Sequence, residues 1–180
     1  MQEEEEFIKQ LLDSKTQNVA FQKLLSTYQK PLYNHIRNIV LNHDDTDDVL
    51  QNTFVKIFQN LKNFKGESKL FSWMYRIATN EAISFLNQKA KKSGISSQII
   101  QDKALDNLRA DVHFDGNEIQ IKLQQAIATL PEKQQLVFKM KYFEELKYEE
   151  ISEILGTSVG ALKASYHHAV KKIESFLTTD

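Results

Sequence analysis

The chain has 180 residues, with 23 basic and 24 acidic side chains, five glycines, two prolines and no cysteine. Without cysteine it has no disulfide, thiolate nucleophile or cysteine-ligated zinc site. No apolar run approaches the ~18 residues that span a bilayer, and the acidic start MQEEEEFIKQ is unlike a signal peptide. We therefore expect a cytoplasmic protein without membrane insertion. Sparse helix breakers and many Lys, Glu, Gln, Leu and Ile residues favour an all-α fold.

The first third of the chain predicts two core helices. The four-Glu run near the N-terminus is expected to be a frayed, solvated helix start. Apolar residues between 21 and 39 then recur at helical spacing, with Pro31 interrupting the run and Asn42-His43 ending it. The next helix opens with four acidic residues, whose charges stabilise the partial positive charge of a helix N-terminus. Apolar residues that form the buried face of this helix come after them. The acids are Asp44, Asp45, Asp47 and Asp48, and the face is Leu50, Phe54, Ile57 and Leu61.

Residues 64–92 differ in composition from what precedes them. Six basic residues face two acidic ones, and five aromatic rings are interleaved with them. Positive charge beside aromatic platforms is typical of proteins that bind single-stranded nucleic acid, because cations follow phosphates while bases stack on rings. The alternative is that Phe71, Trp73, Ile77 and Phe85 simply fill the core. Residues 65–69 form a polar loop, where a mobile element that grips a base would lie.

Residues 93–117 separate this block from a second helical block. The segment opens with Ser93-Gly94, contains Gly116-Asn117 and carries two basic against four acidic residues, as a solvated linker does. It is too apolar for a pure spacer, so part of it is expected to form a helix or to dock on a partner. The apolar positions are Ile95, Ile99, Ile100, Leu105, Leu108, Val112 and Phe114. We therefore predict two small helical domains, at 1–92 and 118–180, joined by a linker at 93–117.

Residues 143–173 have the pattern of a helix-turn-helix. The first helix has apolar residues at helical spacing, Gly156 can take the positive φ that ends it, and Ser158 can cap the second helix. One face of the second helix is apolar, formed by Val159, Leu162, Tyr166, Ala169, Val170 and Ile173. The opposite face, sized for a major groove, comprises Ser158, Gly160, Lys163, Ala164, His167, His168 and Lys171. An ordinary helical hairpin with a solvated polar face is the alternative.

The net charge argues against a DNA-binding protein that acts alone. The chain carries −1 in total, and residues 118–180 contain eight lysines and no arginine against nine acids. Autonomous DNA-binding domains are usually strongly basic, because cations neutralise phosphates and release counterions. Another molecule is therefore expected to supply much of the binding free energy.

The order of DDVLQNTFVKIFQNL, NFKGES, FSWMYRIATNEAISFL, a linker and LPEKQQLVFKMKYFEELKYEEISEILGTSVGALK resembles the sigma-70 family, in particular its extracytoplasmic-function (ECF, group 4) subfamily. The resemblance implies a promoter-specificity subunit with no catalytic residues, cofactor or metal. It implies docking on core RNA polymerase, at the clamp coiled coil and the flap, with Asp48, Gln51 and Asn52 on the clamp-binding surface. It implies minus-10 promoter contacts, with a flipped base, from Lys65, Ser68, Lys69, Phe71, Trp73, Arg76 and Asn80. The second helix of the helix-turn-helix would read the minus-35 element, and an anti-sigma factor is a possible partner.

One stretch departs from the family pattern. Relatives commonly present TVKSRLHRARKKL where this chain has ALKASYHHAVKKI, so Ser165, His168 and Val170 stand where Arg is usual.

Three other functions stay open at this point: a repressor or activator with a sensing domain, a helical metal-dependent hydrolase, and an anti-sigma or other adaptor protein. The five histidines lack HExxH or comparable ligand spacing, and an adaptor would lack the basic aromatic stretch.

Overall fold

The computed structural model describes residues 2–106 and 117–178, and every regular element within them is a helix. This confirms the predicted all-α class. The elements in chain order are α1 (Gln2–Leu12), α2 (Gln17–Val40), α3 (His43–Asn60), a 3-10 turn (Leu61–Asn63), α4 (Leu70–Ser93), α5 (Ser97–Asp106), α6 (Glu118–Ala128), α7 (Glu132–Tyr142), α8 (Tyr148–Leu155) and α9 (Val159–Thr178).

Helices α2, α3 and α4 pack on one another, and α1 lies against α2. Their apolar faces meet in a core that includes Leu24, Ile36, Ile57 and Met74, all without exposed surface. Ala78 and Ala82 are also fully buried on α4, where small side chains allow the neighbouring helices to approach closely. Two ion pairs, Lys56 with Glu81 and Lys89 with Asp45, join α3 to α4 at the rim.

One expectation for this first block is wrong, and another is incomplete. Pro31 does not interrupt the helix, because α2 runs unbroken from Gln17 to Val40 with the proline inside it. Pro31 is exposed, and the carbonyl that its missing N–H leaves without a helical partner belongs to Thr27, which is also exposed. The four-Glu run is solvated but is not merely a frayed start. Glu4 accepts a hydrogen bond from the Leu70 backbone N–H at 3.0 Å, which ties α1 to the start of α4.

The second helical block is formed by α6, α7, α8 and α9. A small core joins α6, α7 and α9, built from Ala126, Ile127, Leu130, Phe138, Ala169 and Ile173. Gln135 is buried on α7, and its amide donates to the Leu130 carbonyl at 2.9 Å, where α6 has ended. The same amide also donates, at 3.4 Å, to the carbonyl of Ala128, the last residue of α6, which the helix itself leaves without a partner.

The predicted linker contains a helix, as its apolar content indicated. Helix α5 packs on both α4 and α6, with Ile100 and Leu105 buried. Its polar side chains also bridge the blocks, since Gln101 donates to the Ile39 carbonyl and Gln98 to the Ala128 carbonyl. Of the other predicted apolar positions, Ile95 is half-buried and Ile99 is exposed, whereas Leu108, Val112 and Phe114 lie outside the described residues.

The two helical blocks pack directly against each other. Helix α8 lies on α4, and residues of α7 and α8 share one continuous hydrophobic core with the first block. Their buried side chains in that core include Leu136, Val137, Met140, Ile151 and Ile154. The contact places the helix-turn-helix against the basic, aromatic helix of the first block.

Candidate polymerase- and DNA-binding surfaces

The predicted polymerase-binding residues lie together on an exposed face of α3. The helix is capped by Asn42, whose side chain accepts from the Asp45 N–H at 2.9 Å. Asp48, Gln51 and Asn52 follow one or two turns later, and all three are exposed. Val55 extends this face and is 53% exposed, an unusual position for a branched apolar side chain. The face therefore combines a carboxylate, two amides and an apolar patch that a partner can cover.

The acidic residues at the start of α3 are not equivalent. Asp45 pairs with Lys89, and Asp47 lies 3.6 Å from the His43 imidazole, so both carboxylates have cationic or potentially cationic neighbours within the domain. Asp48 makes no ion pair with another described residue. Its charge is therefore available to an external partner, which the sequence pattern alone did not distinguish.

The predicted minus-10 loop precedes α4 and is mostly exposed. Gly66 has a φ of 71°, a backbone conformation that glycine adopts without steric cost. Lys65 and Lys69 are exposed, whereas Ser68 is half-buried. The Lys69 ammonium lies 3.7 Å from the Glu150 carboxylate of α8. The loop is therefore positioned beside the helix-turn-helix.

The aromatic residues of α4 serve partly as core. Phe71 packs against Tyr75 with ring centroids 4.1 Å apart and planes inclined by 36°, and Trp73 lies against Phe64 at 5.1 Å. Both Phe71 and Trp73 are half-buried, so each side chain packs on a neighbour and keeps some exposed surface. Asn80 is exposed two turns beyond Trp73. The packing and base-stacking interpretations are thus compatible for these rings.

Arg76 is exposed but already has an acceptor. Its Nε donates to the backbone carbonyl of Glu153 on α8 at 3.1 Å, and its terminal nitrogen donates to the same oxygen. Helix α8 therefore contacts the predicted DNA-reading side of α4 at Lys69 and at Arg76.

The helix-turn-helix has the predicted local geometry. Gly156 has a φ of 63° and its N–H bonds to the Ser152 carbonyl, which closes the end of α8. The Ser158 hydroxyl accepts from the Ala161 N–H at 3.3 Å and caps α9. Leu162, Ala169 and Ile173 are buried, as predicted for the apolar face.

The opposite face of α9 is open to solvent over its first four turns. The residues predicted to read DNA are all exposed: Ser158, Gly160, Lys163, Ala164, His167, His168 and Lys171. At one edge of this face the Tyr148 ring lies between two ammonium groups, 5.2 Å from Lys141 and 5.7 Å from Lys163. The Tyr148 ring thus contacts a cation from α7 and a cation from α9, a feature that the sequence analysis did not identify.

A buried polar cluster joins the two blocks, and the sequence analysis did not predict it. His35 on α2 is 1% exposed; its Nδ1 lies 2.9 Å from the Glu144 carboxylate, and its Nε2 lies 2.8 Å from the Thr79 hydroxyl. Lys139 on α7 is 4% exposed and interacts electrostatically with Glu144. Burial lowers the pKa of Lys139 to about 8, and the Glu144 carboxylate acts in the opposite direction. Burial and the same carboxylate raise the pKa of Tyr75.

Within residues 2–106 and 117–178, no group of three His, Asp or Glu side chains is placed to hold a metal ion. Across the same described part of the chain, no helix combines the length and apolarity needed to cross a bilayer.

Comparison with known proteins matches both blocks to one family. The family description "Sigma-70 region 2" matches residues 24–92, and "Sigma-70, region 4" matches residues 120–173. The chain is 30% identical to RNA polymerase sigma factor SigZ of Bacillus subtilis over 154 residues, which cover 86% of this chain and 85% of SigZ. It is 27% identical to the ECF RNA polymerase sigma-E factor of Haemophilus influenzae over 166 residues, covering 87% and 86%.

The arrangement of helices also resembles a solved structure. The sigma factor RpoE of Bartonella quintana, in complex with the anti-sigma factor NepR, superposes with a TM-score of 0.65 at 18% identity. The match covers 89% of this chain and 98% of that one, and at this identity it supports the fold alone. Because both conserved regions occur in order along one chain, and a 30% identical relative aligns over most of its length, this protein belongs to the extracytoplasmic-function subfamily of the sigma-70 family of RNA polymerase sigma factors.

Proposed function

We propose that this sigma factor directs core RNA polymerase to one promoter class through three separate surfaces. The exposed face of α3 docks on the polymerase clamp. The loop before α4, together with α4 itself, opens and reads the minus-10 element, and α9 reads the minus-35 element. The observation that carries the proposal is the presence of a groove-sized recognition face and a basic aromatic helix in one chain whose net charge is −1. A chain with this charge needs a partner to supply nonspecific DNA affinity.

The domain boundaries follow from the same assignment. Residues 1–92 form the domain for polymerase docking and minus-10 recognition, 93–117 the linker, and 118–180 the minus-35 domain. The family matches at 24–92 and 120–173 support this division. Helix α5 within the linker supports a spacer that carries structure of its own.

Each surface has the chemistry that its assignment requires. Asp48 offers a charge without an intramolecular ion pair among the described residues, and Val55 offers apolar area that docking would remove from water. Lys65 and Lys69 can follow phosphates, while the half-buried side chains of Phe71 and Trp73 keep exposed surface on which a base could stack. Lys163 and Lys171 can position α9 on the duplex backbone.

The proposal assigns no catalytic step to this chain and places it in the cytoplasm with the polymerase. An anti-sigma factor is a candidate partner. Sigma factors with the same fold have been solved in complex with anti-sigma proteins, as for RpoE with NepR, and the exposed apolar side chains of α3 offer such a protein a surface.

Run-off transcription with core polymerase on genomic DNA tests the proposal, and products from one promoter class are expected. The same assay tests the docking surface through Asp48→Lys, with Glu6→Lys on the exposed side of α1 as a control of equal charge change. We expect Asp48→Lys to lose competition for core polymerase, because like charges then meet across the interface at a cost of several kcal/mol. Normal competition by folded Asp48→Lys protein would show that this face does not dock. A protein that binds promoter duplex tightly without polymerase would instead be a repressor or activator.

A further inference from the structure

A small cavity, which we call the junction cavity, lies where the first block, the linker helix and the second block meet. Its volume is about 50 Å³, and its lining comes from α2, α4, α5 and α7. Ile39, Leu86 and Leu136 contribute apolar surface, whereas most of the other lining side chains are polar or charged. A buried water needs roughly 10–15 Å³ of such space, so the cavity has room for about four water-sized atoms.

The buried Lys139 lines the junction cavity and has no acceptor of its own. It is 4% exposed and makes no hydrogen bond or close ion pair with another described residue. Its interaction with the Glu144 carboxylate is electrostatic only, and that carboxylate lies 2.9 Å from His35 Nδ1. An ammonium carries three hydrogen-bond donors, and burying them without acceptors opposes folding. An acceptor bound in the junction cavity would relieve this cost.

Further donors meet the same space from α5 and α4. Ser97 and Gln98, the first two residues of α5, line the junction cavity. The Ser96 hydroxyl accepts from the Ile99 N–H at 3.3 Å, but the N–H groups of Ser97 and Gln98 have no acceptor within the helix because they belong to its first turn. The Asn87 amide of α4 also lines the cavity and makes no hydrogen bond to another described residue. Oriented N–H groups at a helix N-terminus favour an anion.

The surrounding charges limit which anion fits. Glu132 lines the junction cavity, and Glu144 lies near the Lys139 ammonium, so a second negative charge on the ligand would meet carboxylates of this chain. The volume limits the ligand further, to three or four non-hydrogen atoms. Formate, acetate and bicarbonate meet both conditions, since each carries one negative charge and at least two oxygens that accept hydrogen bonds.

We propose that the junction cavity binds a small oxyanion of single charge, a carboxylate of one or two carbons or bicarbonate, held by the Lys139 ammonium, the Asn87 amide and the N-terminus of α5. These donors belong to the second block, the first block and the linker helix. A bound anion therefore bridges all three parts and stabilises their packing. The inference concerns a ligand site apart from the promoter-binding surfaces and does not depend on their assignment.

Thermal unfolding of the full-length chain tests this site. Sodium gluconate, whose anion is too large for the cavity, holds the ionic strength constant while formate, acetate or bicarbonate replaces it. Because a ligand that binds only the folded chain stabilises it, we expect a saturable rise of Tm, about 3–6 °C at ten times the Kd. Isothermal titration calorimetry gives the Kd directly. Benzoate, a carboxylate too large for the cavity, should cause no saturable rise.

Two pairs of variants locate the binding. Lys139→Met removes the ammonium and should abolish both the rise of Tm and the calorimetric signal, whereas Lys133→Met on the exposed side of the same helix should keep both. Asn87→Asp places a carboxylate at the cavity and should weaken binding by about tenfold through like-charge repulsion. Gln88→Glu makes the same charge change at an exposed neighbour outside the lining and should leave the Kd unchanged. This second pair carries the test if Lys139→Met does not fold.

Three results would overturn the proposal. No saturable binding of formate, acetate or bicarbonate would show that the junction cavity holds only water. An equal rise of Tm with benzoate would indicate a general effect of carboxylate salts. Unchanged binding in folded Lys139→Met, or equal binding by Asn87→Asp and Gln88→Glu, would place the anion elsewhere on the protein.

Discussion

Replacing the buried Lys139 with methionine should stabilise the protein. The pKa of this lysine is lowered from 10.5 to about 8, chiefly by burial, so keeping it protonated at neutral pH opposes folding. At 1.36 kcal/mol per pKa unit the shift corresponds to about 3 kcal/mol. Methionine fills a similar volume without a charge, but it leaves Glu144 without its nearby ammonium, so we expect a net gain of about 1–3 kcal/mol.

The pH dependence of this gain identifies its cause. The pKa is lower in the folded chain, so between about pH 8 and 10.5 the unfolded chain binds more protons and the wild type becomes more stable as pH rises. The variant has no such group. The advantage of Lys139→Met is therefore largest below pH 8 and shrinks towards pH 10.5. Glu144, the carboxylate that interacts with this ammonium, is present in both proteins and largely cancels in the difference.

Urea unfolding followed by circular dichroism at pH 7 and at pH 9.5 measures both quantities. Lys133→Met on the same helix is the control, because Lys133 is exposed and its replacement should change stability by less than about 0.5 kcal/mol at either pH. A Lys139→Met protein that is less stable than wild type at pH 7, or a difference that does not vary with pH, would refute the assignment of the cost to a buried ammonium.

Three further predictions concern the DNA-binding surfaces. Gly160→Ala should stabilise α9 by about 0.5–1 kcal/mol in thermal unfolding, since a Cβ at this position meets no heavy atom within 4 Å and its φ is not in the left-handed region. A loss of minus-35 duplex affinity in that stabilised variant would place the position against DNA. Asn80→Ala should weaken promoter opening, read by permanganate footprinting, while polymerase affinity stays unchanged; an unaltered open complex would assign Asn80 to the helix surface only. His168→Arg adds a fixed charge on the exposed face of α9 and should steepen the log–log salt dependence of duplex binding by about 0.9. An unchanged slope would show that this position does not approach a phosphate.

Local sequence signals predicted the helices and their ends well. The turn at Gly156, the cap at Ser158 and the exposed face of α9 all follow from rules that act within about five residues. The same rules failed at Pro31, which was expected to interrupt the helix although α2 continues through it. They also gave Glu4 no tertiary contact, because Leu70, whose N–H donates to its carboxylate, is 66 residues away in the sequence.

The sequence by itself determined the all-α class, the two helical blocks and the chemical character of each binding face. The tertiary structure decided which polar groups are buried and which binding residues are already occupied. His35 shows the difference: it stands three residues after Leu32 and four before Ile39, on the buried side of α2, so its burial was readable from spacing. Its partner Glu144 lies 109 residues away in an irregular segment with no periodicity, and only the packing of the two blocks brings the carboxylate to the imidazole. Helix periodicity specifies which side of a helix is buried, whereas the choice of partner depends on complementary surfaces that meet only after both blocks have folded.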